Sequence, residues 1–293
     1  MSLDSYAASG QAGLMSFREA MESGAFPVSL EITPPRIPKK AVLLRRARLL
    51  DSRTLTVNVI QRPDRQSSLE AALELRREGL EPIWHLTTRG RSGKDIAADV
   101  TQAQNGGLRH VLCLRGDQVQ ESGGIAVVEA IGVIREQAPE MAIGAALDQY
   151  RGNESTDRLL AAKLRAGAGS VWTQPVFEVA PLLRAASFVK AVRPDAHVVA
   201  MAMPLLTSES LDAISERLRI PAPEALRRRI QMGEEEAWRA FEETLAILAG
   251  EELVDAVALM TYRADPPEGT AERLLSGLQR MGIGKAASPS TDC

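Results

Sequence analysis

The stretch Leu108-Arg-His-Val-Leu-Cys-Leu114 runs into Arg115-Gly-Asp117 and then into the amphipathic stretch Ile125–Gln137. Its first part is almost continuously apolar, as expected of a strand buried on both faces of a parallel sheet. The amphipathic stretch has apolar residues at helical spacing and is long enough to cross back over a sheet. These residues therefore predict one βα unit with polar side chains at the carboxyl end of its strand.

The same unit recurs along the chain. Eight apolar runs are predicted strands, namely Phe26–Ile32, Leu55–Ile60, Pro82–Thr87, Leu108–Leu114, Met141–Leu147, Ser170–Gln174, His197–Met203 and Val254–Met260. Helical patterns lie between them at Ala41–Leu50, Leu69–Glu78, Gly93–Asn105, Ile125–Gln137, Thr156–Gly167 and Pro181–Val192, then at Ser208–Arg217 and Ala222–Ala249 with a break near Gly233. This α/β alternation predicts a (β/α)8 TIM barrel, whose usual size is about 250 residues. A doubly wound open sheet remains the alternative, because the pattern does not tell whether the sheet closes.

The ends of the chain differ from its middle in composition. Residues 1–15 are small and polar, and residues 282–293 finish in Lys-Ala-Ala-Ser-Pro-Ser-Thr-Asp-Cys. Neither segment carries enough apolar surface to bury itself. We therefore expect a flexible N-terminal segment at 1–15, a single barrel domain at 16–281 and a disordered tail at 282–293.

Composition and charge narrow the classes of function. Lys and Arg number 35 against 38 Asp and Glu, a formal net charge of −3, so no overall positive field exists to attract nucleic acid. Two cysteines, Cys113 and Cys293, and three scattered histidines match neither a disulfide framework nor a metal site of usual spacing. No signal peptide or membrane span is apparent. We therefore expect a cytoplasmic protein without metal, nucleic-acid or membrane partners.

Polar side chains follow seven of the eight predicted strands, at the end where barrel enzymes place their chemistry. Glu31 is the sharpest case, since it interrupts the apolar run Val28-Ser-Leu-Glu-Ile32. Burial there favours the protonated carboxyl that a proton donor near neutral pH requires. The structural alternative is a carboxylate paired with Arg36 or Arg115, and the sequence does not choose between the two.

Two further positions are open to either interpretation. Gly116, in Arg115-Gly-Asp117, permits close backbone approach to a ligand, but the tripeptide is also an ordinary turn. Lys163 lies on a predicted helix, where it either directs a charge at a phosphate or is simply solvated.

Five segments, taken in order, point to a known family. They are Val28-Ser-Leu-Glu-Ile-Thr-Pro-Pro-Arg36, His85-Leu-Thr87, Gly107-Leu-Arg-His-Val-Leu-Cys-Leu-Arg-Gly-Asp117, Ala166-Gly-Ala168 with Thr173-Gln174, and Arg219-Ile-Pro221. From about Pro27 to Asp265 the chain resembles methylenetetrahydrofolate reductase of the bacterial single-domain kind. The resemblance implies a (β/α)8 barrel that passes hydride from NADH to FAD and then to 5,10-methylenetetrahydrofolate. The product, 5-methyltetrahydrofolate, supplies methionine synthesis in one-carbon metabolism, and the family tends to form homo-oligomers.

The same resemblance implies roles for individual residues. It makes Glu31 the general acid that assists opening of the five-membered ring, and Asp117 the carboxylate that tunes flavin and pterin. It implies cofactor binding by Asn58, His85, Leu114, Arg115, Gly116, Asp117, Lys163 and Ala168, with Lys163 directed at the FAD phosphates. It implies substrate binding by Glu31, Gln174 and Arg263.

Other functions fit parts of the sequence. Aromatic residues usual in the family are replaced by Ile32, Leu147 and Met260. A divergent paralogue that oxidises methyltetrahydrofolate, or that works without flavin, is therefore an alternative. A barrel lyase or aldolase with Lys163 as Schiff-base nucleophile is another, and a non-redox barrel that binds folate or a corrinoid protein is a third.

Overall fold

A computed structural model describes residues 16–50, 54–116 and 123–284. Within these ranges eight parallel strands pair in chain order, and the last pairs with the first, so the sheet closes. The strands are β1 Val28–Ile32, β2 Thr54–Val59, β3 Pro82–Thr87, β4 His110–Leu114, β5 Ala142–Ala146, β6 Ser170–Pro175, β7 His197–Ala202 and β8 Ala256–Met260. The predicted (β/α)8 barrel is confirmed, and the open doubly wound sheet is wrong.

Helices surround the barrel. They are α1 Phe17–Glu22, α2 Lys40–Ala47, α3 Ser68–Arg77, α4 Gly93–Asn105, α5 Val127–Gln137, α6 Glu154–Ala166, α7 Val179–Val192, α8 Ser208–Leu218, α9 Glu224–Gln231, α10 Glu234–Gly250 and α11 Thr270–Arg280. The break expected near Gly233 is confirmed, because this residue separates α9 from α10 with φ of 121°. Such a backbone angle favours glycine. Helices α1 and α11 have no counterpart among the predicted elements.

Most predicted strands extend one or two residues beyond the observed ones. Leu108, Met141, Leu147 and Val254 fall outside the strands, yet each is less than 9% exposed. These residues are apolar because the adjoining loops are packed on the barrel, not because they belong to the sheet. Apolar character reports burial, and the end of a strand is set by hydrogen bonding.

Side chains alternate between two cores. Every second residue of a strand, such as Leu30 on β1 or Val57 on β2, points outward and packs under the helices. The opposite parity faces the barrel axis, where Ile83, Leu112 and Trp172 form a separate cluster. Two residues of α1 join this inner cluster, and the ring centroid of Phe17 lies 5.8 Å from that of Trp172. Helix α1 therefore closes the N-terminal end of the barrel.

The two chain ends lie mostly outside the described residues. The expectations for residues 1–15 and for 285–293 therefore stay predictions. Ile283 is 3% exposed and packs with the outer core, so the ordered packing extends past residue 281. None of the described helices is both long and apolar enough to cross a membrane.

Candidate active site at the C-terminal mouth of the barrel

Glu31 lies near the carboxyl end of β1 and belongs to the parity that faces the barrel axis. Its strand neighbours are Asn58 on β2 and Met260 on β8. Adjacent residues in a parallel ladder project to the same side of the sheet, so these three side chains share the inner wall. Glu31 is half-buried and lines a cavity of about 180 Å³ at the mouth. The structure places Glu31 near the end of β1 as the sequence predicts, and the role of its carboxyl group stays a prediction.

Asn58 is fully buried beside Glu31. Its Nδ2 donates to Oγ of Ser29 at 3.0 Å. Its Oδ1 accepts no hydrogen bond from the described part of the chain. A buried polar atom left unpaired costs about 1–3 kcal/mol, so a donor on a bound molecule would be stabilising here.

His85 faces the same interior from β3. It is 4% exposed, and burial lowers the pKa of its imidazole from 6.5 to about 3. The ring is therefore neutral at any physiological pH. Its Nε2 is buried and has no hydrogen-bond partner within the described ranges. Asn58 and His85 thus present two unpaired polar atoms from adjacent strands.

Gln174 lies near the end of β6, where the pairing with β7 is irregular, and a residue of the preceding loop fixes its backbone. Gln149 donates from Nε2 to the Gln174 carbonyl at 2.9 Å and accepts from the Gln174 N–H at 3.0 Å. Tyr150 Oη donates to the Pro175 carbonyl at 2.9 Å and accepts from the Phe177 N–H at 2.8 Å. Both side chains link the loop after β5 to the end of β6. In the sequence, the only signal for them is the polar character of the residues that follow β5.

The loop after β4 is held by the side chain of Arg115. Its guanidinium donates to the carbonyls of Gly123 at 2.7 Å and Ile125 at 2.9 Å. Gly116 has φ of +89°, and a Cβ added there would lie 3.3 Å from Cβ of Thr87. The backbone angle therefore favours glycine, and an added Cβ would also be in tight contact with Thr87. Asp117, predicted as a catalytic and cofactor-binding residue, lies outside the described residues.

The other predicted site residues are dispersed. Leu114, at the end of β4, is half-buried against the inner cluster. Lys163 donates from Nζ to the Ala146 carbonyl at the end of β5, at 2.8 Å, and burial lowers its pKa. Ala168 precedes β6 and so lies at the N-terminal end of the barrel, opposite Glu31, while Arg263 is exposed after β8. Glu31, Asn58, His85 and Leu114 are thus brought onto the inner wall, Gln174 lies near the same end of β6, and Ala168 lies at the opposite end.

Ion pairs that the sequence did not reveal join the β8 loop to α2. Asp265 accepts from Arg45 at 2.7 Å and also pairs with Arg46. The hydrogen bonds from these guanidinium groups lower the pKa of Asp265 to about 2. Arg46 also donates to the Thr33 carbonyl at 2.8 Å, directly after β1. The first and last strands of the barrel are therefore tied together beside Glu31.

A closed barrel whose acidic and amide side chains converge on its C-terminal mouth defines an α/β-barrel protein of the enzyme-like class. The chain belongs to the methylenetetrahydrofolate reductase family, which it matches over residues 16–259. The family resemblance of the five sequence segments is thereby confirmed.

Two solved structures share the fold. An uncharacterised protein from Clostridium thermocellum that binds two copies of 5-methyl-5,6,7,8-tetrahydrofolic acid has a TM-score of 0.69 at 12% identity, with 91% of this chain and 99% of that chain covered. A phosphonopyruvate hydrolase, in complex with oxalate and Mg²⁺, has a TM-score of 0.51 at 14% identity, with 94% and 90% covered. At such identities both likenesses show the barrel and nothing more. Among the described residues no group of three or more His, Cys, Asp or Glu is arranged to hold a metal.

The resemblance implies a flavin, and some of the residues present suit such a group. The unpaired Nε2 of His85 and Oδ1 of Asn58 suit the polar edge of a flat heterocycle, which carries both donors and acceptors. Arg115 and Lys163, the cations assigned to the cofactor, instead donate to backbone carbonyls. The two unpaired atoms match the ring of such a group in their chemistry, and the contacts to its ring and its phosphates stay predictions.

Proposed function

We propose that this protein is a flavin-dependent oxidoreductase that reduces 5,10-methylenetetrahydrofolate to 5-methyltetrahydrofolate with NADH. The observation that carries the proposal is the placement of Glu31 near the end of β1, where it lines a cavity of the mouth and is the strand neighbour of Asn58, whose buried Oδ1 has no partner among the described residues. Family membership supports it, and so does the binding of methyltetrahydrofolate by the Clostridium thermocellum protein.

Glu31 is the group that moves a proton. Its carboxyl donates to the folate nitrogen that leaves the methylene carbon, and the C–N bond pair remains on that nitrogen. The five-membered ring opens to an iminium ion, and the methylene carbon becomes the hydride acceptor. General acid catalysis of this kind contributes about 10²–10⁴-fold to a rate.

The neighbouring residues hold the reactants in place. His85 is neutral, so it hydrogen-bonds to a ligand without adding a charge that would compete with the iminium ion. Asn58 and Gln174 present amide groups from β2 and β6. When bound, FAD supplies the hydride, and the residues that would hold its ring are His85, Asn58 and the backbone at Gly116.

The test replaces Glu31 by glutamine, which keeps the size of the side chain and removes the acid. We expect Glu31→Gln to slow reoxidation of the reduced protein by the folate substrate about 10²–10⁴-fold. Reduction by NADH needs no proton from this carboxyl and should keep its rate. Stopped-flow absorbance of the flavin measures both half-reactions separately.

The matched control is Glu70→Gln, an exposed carboxylate in the first turn of α3. It should leave both half-reactions unchanged. Equal losses of both half-reactions in Glu31→Gln would contradict the role given to this residue.

A second candidate is a folate-binding barrel without a resident flavin. Arg115 and Lys163 favour this candidate, because both side chains donate hydrogen bonds to backbone carbonyls and are not directed at a diphosphate. Purified protein that is colourless, takes up no added FAD and still binds methyltetrahydrofolate would replace the first proposal with this one. Yellow protein that is bleached by NADH and recovers with the folate substrate would exclude it.

A further inference from the structure

The cavity beside Glu31 is unusually rich in arginine. We call it the arginine cavity, and its charged lining residues are Arg46, Arg62, Arg65, Arg217 and Glu31. Four arginines and one glutamate thus line a space of about 180 Å³. The chain as a whole carries a net charge of −3, so this local excess of positive charge does not follow from composition.

The positive charge of the cavity is only partly neutralised. Asp265, which does not line the cavity, forms ion pairs with both Arg45 and Arg46. No carboxylate among residues 16–50, 54–116 and 123–284 lies within 4.0 Å of a nitrogen of Arg62 or Arg65. Both arginines are half-buried. Each guanidinium carries five N–H donors in a fixed fork, which matches the oxygens of a carboxylate or a phosphate.

Arg65 lies close enough to other arginines for their charges to disfavour its own. Its pKa is lowered first by burial and then by the charges of Arg36, Arg46 and Arg62. Its one described hydrogen bond is long, from Nη1 to the Pro34 carbonyl at 3.4 Å. Like charges held together at partial burial destabilise the fold, and a bound anion would relieve this repulsion.

We propose that the arginine cavity is an anion-binding subsite in which Arg62 and Arg65 grip a carboxylate or phosphate of a ligand whose reacting part lies at Glu31. The cavity of about 180 Å³ is well above the roughly 10–15 Å³ that one water molecule needs, so it has room for an oxyanion group. The rest of the ligand would lie in the open mouth. The two arginines lie on the β2–α3 loop, so the subsite belongs to a different part of the rim from Arg263.

Two ligands of the proposed reaction carry suitable anions, and only this identification of the ligand rests on the proposed function. One is the folate, through the carboxylates of its glutamyl tail. The other is the dinucleotide, through its phosphates. Two pairs of ligands distinguish these sources. The first pair is methyltetrahydrofolate with one and with three glutamyl residues, and the second is NADH and NADPH.

The experiment measures dissociation constants by titration calorimetry for these four ligands and for inorganic pyrophosphate. The variants are Arg62→Gln and Arg65→Gln, which remove one charge each without changing the size of the side chain greatly. The control is Arg77→Gln, an exposed arginine at the end of α3 that lies at the opposite end of the barrel. It removes the same charge far from the cavity.

The expected result is an affinity loss of about tenfold or more in each cavity variant, the effect of losing one charge-assisted hydrogen bond. The control should keep the affinity of the natural chain. A loss for the folates alone assigns the subsite to the folate tail, and a larger loss with three glutamyl residues assigns it to the distal part of that tail. A loss for the dinucleotides alone assigns it to their phosphates, and a loss confined to NADPH assigns it to the 2′-phosphate.

Equal affinities in the cavity variants and in Arg77→Gln, for pyrophosphate and for all four ligands, would overturn the proposal. The experiment distinguishes failure of the subsite from failure of the proposed function. Pyrophosphate binding that depends on Arg62, in a protein that binds no folate, would keep the subsite and remove the folate reaction. A positive Glu31→Gln test together with no effect at Arg62 and Arg65 would remove the subsite alone.

Discussion

Acidification from about pH 8 to about pH 5 is expected to destabilise this protein through two buried histidines. His85 is 4% exposed and His110 is 7% exposed. Burial lowers the pKa of His85 from 6.5 to about 3, and burial lowers that of His110 to about 4 despite the nearby carboxylate of Glu81. Both imidazoles are therefore neutral in the folded chain at pH values where the unfolded chain binds protons.

The magnitude follows from linkage between protonation and folding. A pH of about 5 lies about 1.5 units below the pKa of a histidine in the unfolded chain. Each pH unit of this difference corresponds to about 1.36 kcal/mol of folding free energy. Each histidine then lowers the free energy of unfolding by about 2 kcal/mol, and the pair by about 4 kcal/mol. The stabilisation is complete above about pH 6.5 and declines as the pH falls towards the folded values. The loss at about pH 5 depends little on the folded pKa values, since both lie well below it.

The assay is urea unfolding at the two pH values, at constant ionic strength. Ion-paired carboxylates such as Asp265, with a pKa of about 2, contribute mainly below about pH 4.5. His85→Gln and His110→Gln should each remove about half of the loss. An unfolding free energy that is equal at both pH values, or full pH dependence in both variants, would refute the reasoning.

Two predictions concern the interior at the N-terminal end of the barrel. Gly144→Ala places a Cβ 2.7 Å from Nε1 of the buried Trp172 and should cost about 1–3 kcal/mol in urea unfolding, while Gly132→Ala on α5, where nothing lies within 4 Å, should stabilise by about 0.5–1 kcal/mol. An equal effect of both would show that the inner packing is loose. Phe17→Ala removes the ring that stacks on Trp172 and should cost about 3–5 kcal/mol, measured by the same assay. A loss below about 1 kcal/mol would show that α1 does not close the barrel.

The fold could be predicted because each strand is buried on both faces. A continuous apolar run such as Leu108–Leu114 is rare outside a parallel sheet, and its alternation with helical patterns leaves few topologies. Helix α1 escaped prediction because its six residues, Phe17–Glu22, are too few to show helical periodicity. Its stability comes from the capping box at Ser16 and from packing on Trp172, and only the former is local in sequence.

The inner wall of the site could be predicted for a related reason. Glu31 and His85 are polar residues within apolar strands, and alternation along each strand places them on the axial side. The direction of long side chains could not be predicted in this way. Lys163 lies on α6, and only the packed structure shows its ammonium group on the Ala146 carbonyl. Ala168 has no polar side chain that would mark it as a site residue. Its position at the N-terminal end of the barrel follows from its place just before β6.

The arginine cavity shows what a linear pattern does not contain. Arg62 and Arg65 read as ordinary charges of a β2–α3 loop, and the sequence offers many other arginines of the same kind. Closure of the barrel brings β8 against β1, so that Arg217 and the loop after Met260 complete a wall begun by β1 and β2. The excess positive charge arises when the barrel closes. Asp265 does not neutralise Arg62 or Arg65, because it forms ion pairs with Arg45 and Arg46. A site formed by ring closure is thus defined by which charges remain after the ion pairs of the ring have formed, and within residues 16–50, 54–116 and 123–284 Arg62 and Arg65 are cavity arginines without an ion pair.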